Sequence, residues 1–236
     1  MLIRDKKHFY TGMALALGFL GILYYMFTPS FNGMNAFHAS DGLFNSISKG
    51  STYYIPQVKE GIKKFDGKSF ETTIFGDKIK FIPYATTILE ANGFVVNKSG
   101  LGITVSGDLS ALMMSATEDS DAMFNNNGKD LEAKYGMDGK QVLYVWWQTM
   151  KEVKISLDQQ KNFPPATFIS KNVINRAIEV GYNYYGIEGQ HASERWGIIL
   201  FSLVFYVVYT MWWGYAIFFM FEGIGLEMKS SRKKEV

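Results

Sequence analysis

Cysteine is absent from this 236-residue chain. Disulfides, thiolate zinc sites, cysteine-held iron–sulfur clusters, thioether-attached haem and a cysteine nucleophile are therefore excluded. Without such staples, any folded part must rest on a packed core. Histidine is scarce, with only 3 residues, which leaves little for histidine-based metal chemistry. Charge is scarce too: 19% of residues are charged and the net charge is +2. A nucleic-acid binder needs a concentrated basic face, so no nucleic-acid partner is expected. Enzyme signatures are also missing. The sequence holds no Gly-x-Ser-x-Gly elbow, no Gly-x-x-x-x-Gly-Lys-Ser/Thr phosphate loop and no His-Glu-x-x-His. Gly100-Leu-Gly102 lies between two strand-like runs and reads as a turn, not a dinucleotide fingerprint.

What is abundant is apolar and aromatic surface, 47% and 16% of residues. Two stretches concentrate it. Residues 9–27 and 196–221 carry no charged residue and no histidine, and each is long enough for a helix to cross a hydrocarbon core. Tyr10, Tyr24 and Tyr25 bracket the first span, while Trp196, Trp212 and Trp213 mark the second, as membrane-interface anchors would. Basic residues precede the first span and follow the second: Arg4, Lys6 and Lys7 before the first, and Lys229, Arg232, Lys233 and Lys234 after the second. The positive-inside rule then places both termini in the cytoplasm and residues 28–195 outside, across the cell inner (plasma) membrane. No small-x-small cleavage site follows the first span, because Met34 and Phe37 stand at the minus-three positions of Ala36 and Ala39. It is expected to remain as an anchor. The resulting plan is a cytoplasmic N-terminal tail (1–8), a first span (9–27), an extracytoplasmic α+β domain (28–195), a second span (196–221) and a basic cytoplasmic tail (222–236).

Within the central segment, residues 28–40 lack Asp, Glu, Lys and Arg and read as a membrane-hugging connection. Asp41 is expected to cap a helix that breaks near Gly50–Ser51, with a second short helix around Pro56. Phe70, Thr72 and Ile74 alternate with polar residues, and Gly76–Asp77 followed by Ile79 and Phe81 predicts a first hairpin. A short helix from Pro83 to Asn92 comes next, then a second hairpin of 94–96 and 101–105. Helices opened by Asp108 and by Asp138, and a last one beyond Pro164–Pro165, complete the domain. The fold class expected is two transmembrane helices with an inserted α+β domain that contains a small antiparallel sheet.

Candidate sites are few. Ala14, Gly18 and Gly21 form a small-residue pattern that lets another helix approach closely, the second span of this chain among the possible partners. Trp146, Trp147, Tyr184 and Tyr185 are interface candidates, and together with Tyr144 and Tyr182 they could instead fill the core or line a ligand pocket. His38 and His191 flank the two spans, and Glu188-x-x-His191 has the spacing of two ligands on one helical face. Two such histidines are a thin basis for a metal or haem site. The acidic run Glu118, Asp119, Asp121, Asn125–Asn127 and Asp130 lacks EF-hand spacing. No cofactor, catalytic residue or metal is expected, and no ligand is named by any motif. The sequence reads as a non-enzymatic accessory or structural subunit, bound by the lipid bilayer and by other integral membrane proteins. A ligand-binding or sensory module acting through a partner is the second reading, and a membrane metal or haem protein the third.

Overall fold

The computed structural model describes residues 3–226. The basic positions Lys229, Arg232, Lys233 and Lys234 lie outside the described residues. The chain divides into two compact units: a hairpin unit made of the residues up to Ile47 and from Gln190 onward, and an inserted unit, residues 48–189.

In the hairpin unit, α1 (Lys6–Phe27) and α10 (Trp196–Gly223) are long and apolar enough to cross a membrane. Asp5 opens α1 by accepting the backbone N–H of His8. The two helices pack on each other along their lengths. Glycine sets how closely they meet: a Cβ on Gly12 would lie 2.6 Å from the Met220 backbone nitrogen, and one on Gly223 would lie 2.5 Å from that of Phe9. Polar atoms inside the seam are paired. The Tyr209 hydroxyl donates to the Phe19 carbonyl at 3.0 Å, and the Trp212 indole N–H donates to the Leu15 carbonyl at 2.9 Å. Where α10 ends, the Gly223 carbonyl accepts from the backbone N–H of both Arg4 and Asp5, each at 2.9 Å. This satisfies a carbonyl that the helix end would otherwise leave bare.

α2 (Ala36–Ser51) begins earlier than expected. The Asn35 side chain caps it by accepting the N–H of His38 at 2.9 Å, so Asp41 sits inside the helix and does not start it. Residues 36–40 offer no breaker to stop the helix extending back to that cap. The predicted interruption is present, since α3 (Ile55–Ile62) is a separate helix with Pro56 in its first turn.

The inserted unit is mostly helical around one three-stranded antiparallel sheet. β1 (Ser69–Ile74), β2 (Val95–Ser99) and β3 (Gly102–Asp108) lie in the order β1-β3-β2. β1 buries Phe70, Thr72 and Ile74 and exposes the residues between them, the alternation of a half-buried strand. The second predicted hairpin is β2–β3, with Ser99 opposite Gly102. The first is not formed: β1 pairs with β3 from Ser69↔Asp108 to Ile74↔Ile103. The reason is Phe75, which takes a left-handed backbone (φ 63°), fully buries its ring and turns the chain away after Ile74. A bulky residue there is unusual, and the ring packs 5.9 Å from Phe81 in the core. The next residues form a 3-10 turn leading into α4 (Ile82–Ala91).

α5 (Leu109–Phe124) packs on β3 and α7 (Gly139–Gln159) on β1, while α6 (Gly128–Tyr135) packs against α4, α5 and α7. Asp108 and Asp138 cap α5 and α7 through their side chains. α7 is the central element. It buries Val142, Leu143, Val145, Trp146, Met150, Val153 and Leu157, and packs against α4, α5, α6 and β1. The final helix of the unit is composite: α8 (Phe163–Phe168), a π-helical segment (Ile169–Ile178) and α9 (Glu179–Tyr184). A period of 3.6 in the sequence does not distinguish that wider coil. Buried Ile169, Val173, Ile174, Ala177 and Ile178 satisfy either winding.

Candidate functional site

Three polar or aromatic constellations of the inserted unit are possible sites, and two of them are closed. The first gathers four helices on one carboxylate. Asp119 of α5 is buried, and its Oδ2 accepts from the Tyr135 hydroxyl of α6 at 2.6 Å and from the Trp146 indole N–H of α7 at 2.7 Å. Lys134 approaches Oδ1 at 3.3 Å, and Asn92 at the end of α4 donates to the Tyr135 hydroxyl at 2.8 Å. Burial, and then donation to Asp119, push the Tyr135 phenol well above its ordinary range. The hydrogen bonds to Asp119 come from α6 and α7, so the arrangement holds helices together.

The second surrounds Lys49 in the last turn of α2. Its ammonium, on a residue only 6% exposed, donates to the carbonyls of Ile187 and Tyr184 at 2.5 and 3.2 Å. It also reaches the Asn126 side chain at 3.3 Å. Asn126, with a left-handed backbone (φ 63°), accepts the Gly186 N–H at 2.7 Å and donates to Ile187 and Glu188. Burial lowers the Lys49 pKa, and the Glu188 charge partly opposes this. The group fastens the segment after α9 to α2.

These two groups act in opposite directions on alkaline stability. The unfolded chain ionises tyrosine near pH 10, whereas native Tyr135 keeps its proton. That stabilisation is complete below pH 10 and is lost as pH rises. Lys49 gives up its proton at lower pH in the native state than in the unfolded chain, so its contribution rises with pH toward 10.5. The difference between the wild type and Tyr135→Phe isolates the tyrosine. It is expected to fall by about 1.4 kcal/mol per pH unit above about pH 10, measured by denaturant titration of the full chain. A difference independent of pH would show that the phenol ionises equally in both states.

The third constellation is open. A cleft of about 300 Å³ lies between α7 and the composite helix. Leu143, Tyr144 and Trp147 line it from α7, and Ile178, Glu179, Tyr182 and Asn183 line it from the other side. Tyr144 and Trp147, three residues apart on one helix, hold nearly parallel rings 5.9 Å apart. The Trp147 indole N–H donates to Glu179 Oε1 at 3.0 Å. A π-helical segment shifts the facing of the residues beyond it, and Glu179 is the first residue after that segment.

Of the residues singled out in the sequence, Trp147 lines this cleft with Tyr144 and Tyr182, while Trp146 is fully buried on Asp119. Tyr184 bonds through its hydroxyl to Ser48, and Tyr185 packs over Gly128. Glu179 was not singled out; no motif contains it, and its place beside Trp147 depends on the π-helical winding. His38 is exposed on α2, and His191 is exposed beyond the end of α9. The segment 185–191 is not helical, so Glu188 and His191 do not share a helical face. Among the described residues no group of three or more His, Asp or Glu is placed to hold a metal ion. The acidic run diverges: Asp119 turns inward, whereas Asp121 pairs with Lys59 at 2.6 Å. In the hairpin unit, a Cβ on Gly18 would lie 3.1 Å from the Trp212 ring, whereas Ala14 is exposed and Gly21 faces open space. Tyr10, Tyr24, Tyr25 and Trp196 are exposed. The Trp212 N–H is used inside the seam, and Trp213 packs 4.6 Å from Phe19. No protein-family model, no curated protein and no solved structure matches this chain.

Proposed function

We propose that this chain is a two-pass protein of the cell inner (plasma) membrane and a non-enzymatic accessory subunit of a larger integral membrane complex. Both termini are cytoplasmic in this reading, and the central domain is extracytoplasmic, where it docks on partner proteins. Support for the topology comes from the basic residues Arg4, Lys6 and Lys7 and those beyond the second span.

The observation that carries the subunit reading is the outward surface of the hairpin. Cβ atoms built on Gly21, Gly197 and Gly214 meet nothing within 4 Å. Both helices therefore present bare backbone on faces that their mutual packing does not use. In a bilayer, such positions let another helix approach closely, and close packing there drives association. The seam itself consumes Gly12 and Gly223, so the outward glycines are not needed for the hairpin.

Extraction of the tagged full chain in a mild detergent, with native mass determination, tests this. The expected result is a stoichiometric complex with other integral membrane proteins, lost in the double variant Gly21→Leu/Gly214→Leu. A lone monomer, or a complex indifferent to both substitutions, would overturn it. A ligand-binding module acting through a partner is the second reading, favoured by the aromatic cleft between α7 and the composite helix.

A further inference from the structure

We propose that the cleft beside Trp147 is a binding site for a neutral pyranose, free or as part of a glycan. Its polar groups select the charge of the ligand. Glu179 makes no ion pair among the described residues, and its Oε2 has no hydrogen-bond partner there. A ligand touching it must donate hydrogen bonds. An anion is disfavoured by that carboxylate at close range. A cation is disfavoured by what already occupies the rings. The Lys151 ammonium lies 4.0 Å from the Trp147 ring centroid, and that of Lys140 lies 5.5 Å from the Tyr182 centroid. The cation positions on two of the three aromatic residues are thus taken by the chain's own lysines.

What remains is a neutral donor with an apolar face. A pyranose has both: a plane of C–H groups that packs on an aromatic ring, and a rim of hydroxyls. Tyr144 and Tyr182 are 45% and 38% exposed, so ring surface is available. The side-chain amide of Asn183, which lines the cleft, forms no hydrogen bond among the described residues and can both donate and accept. The Tyr144 hydroxyl is steadied by Gln148 at 3.1 Å and still has a proton to donate. A cleft of about 300 Å³ has room for one or two sugar rings. The site stands independently of the subunit reading, because every group in it belongs to the inserted unit.

The full chain in lipid nanodiscs, free of sugar-based detergent, is to be titrated with maltose and with N,N′-diacetylchitobiose by calorimetry and saturation-transfer NMR. Parallel discs containing a glucosyl diacylglycerol distinguish a lipid-borne sugar from a soluble one. Saturable binding of any of the three is expected, about tenfold weaker in Tyr182→Ala and also reduced in Glu179→Gln. Tyr182→Ala removes an exposed ring with no hydrogen bond, so its fold is preserved even if Trp147→Ala fails to fold. Tyr84→Ala, an exposed tyrosine outside the cleft, is expected to bind as the wild type does. Absence of binding to all three probes would overturn the proposal. So would binding of tetramethylammonium in their place, or sugar binding that neither cleft variant alters.

Discussion

Asp119→Ala is expected to destabilise the inserted unit by about 3–5 kcal/mol. The magnitude comes from the donors the substitution strands. Tyr135 and Trp146 each lose their acceptor while remaining buried, and each orphaned donor costs about 1–3 kcal/mol. Asn92 donates to the Tyr135 hydroxyl, and its amide oxygen already accepts from Lys134. The Lys134 side chain is 42% exposed whereas that of Asp119 is 5% exposed, so the ion pair between them is a small part of the total. Lys134→Met is accordingly expected to cost under about 1 kcal/mol. Denaturant titration of the full chain in micelles gives the two values, and hydrogen exchange across residues 109–159 localises them. Equal costs for the two variants would mean that the ion pair, and not the buried hydrogen bonds, joins the four helices.

The hairpin gives the second large effect. Gly12→Leu is expected to force α1 and α10 apart and to cost about 1–3 kcal/mol or more of their association. The obstruction is backbone, since the Ala216 carbonyl and the Met220 nitrogen lie 2.8 and 2.6 Å from the new Cβ. No rotamer change relieves that, so even Gly12→Ala should be felt. Gly21→Leu, whose Cβ meets nothing within 4 Å, is expected to leave the hairpin intact. The natural absence of cysteine makes the measurement direct: spin labels on cysteines introduced at Leu17 and Phe218 report the spacing by electron–electron resonance. The distance distribution should be narrow in the wild type and in Gly21→Leu. It should lengthen and broaden in Gly12→Leu. A distribution unchanged by Gly12→Leu would show that the seam does not depend on that close contact.

Local structure is legible wherever one residue settles it. Asp108 and Asp138 are caps because a carboxylate next to a helix start has bare N–H groups to accept from, and both serve as caps in the structure. The β2–β3 hairpin arises from two short apolar runs joined through Gly100. The two long apolar helices need only length and composition. Expectation and structure part where two local signals compete. Asn35 and Asp41 are both able to cap, and the earlier one governs because nothing between them stops the helix. Gly76–Asp77 has the composition of a hairpin turn, but the strand ends ahead of it, at the buried left-handed Phe75.

Sequence by itself determined the elements that depend on neighbours a few residues apart: two long apolar helices, the helices capped by Asp108 and Asp138, the three strands β1, β2 and β3, and the exclusion of thiol chemistry. Tertiary structure decided everything that depends on which distant residues meet. It paired β1 with β3 instead of with the segment next in the chain. It sent Trp146 into the core and left Trp147, one position on, at an open cleft. Consecutive positions on a helix point about 100° apart, and composition carries no information about which of the two faces the core. The same holds for Glu179 and Asp119, ordinary acidic residues in the sequence. One lines an open cleft and the other is the buried tie of four helices, because burial and partners, not residue type, determine what a carboxylate does.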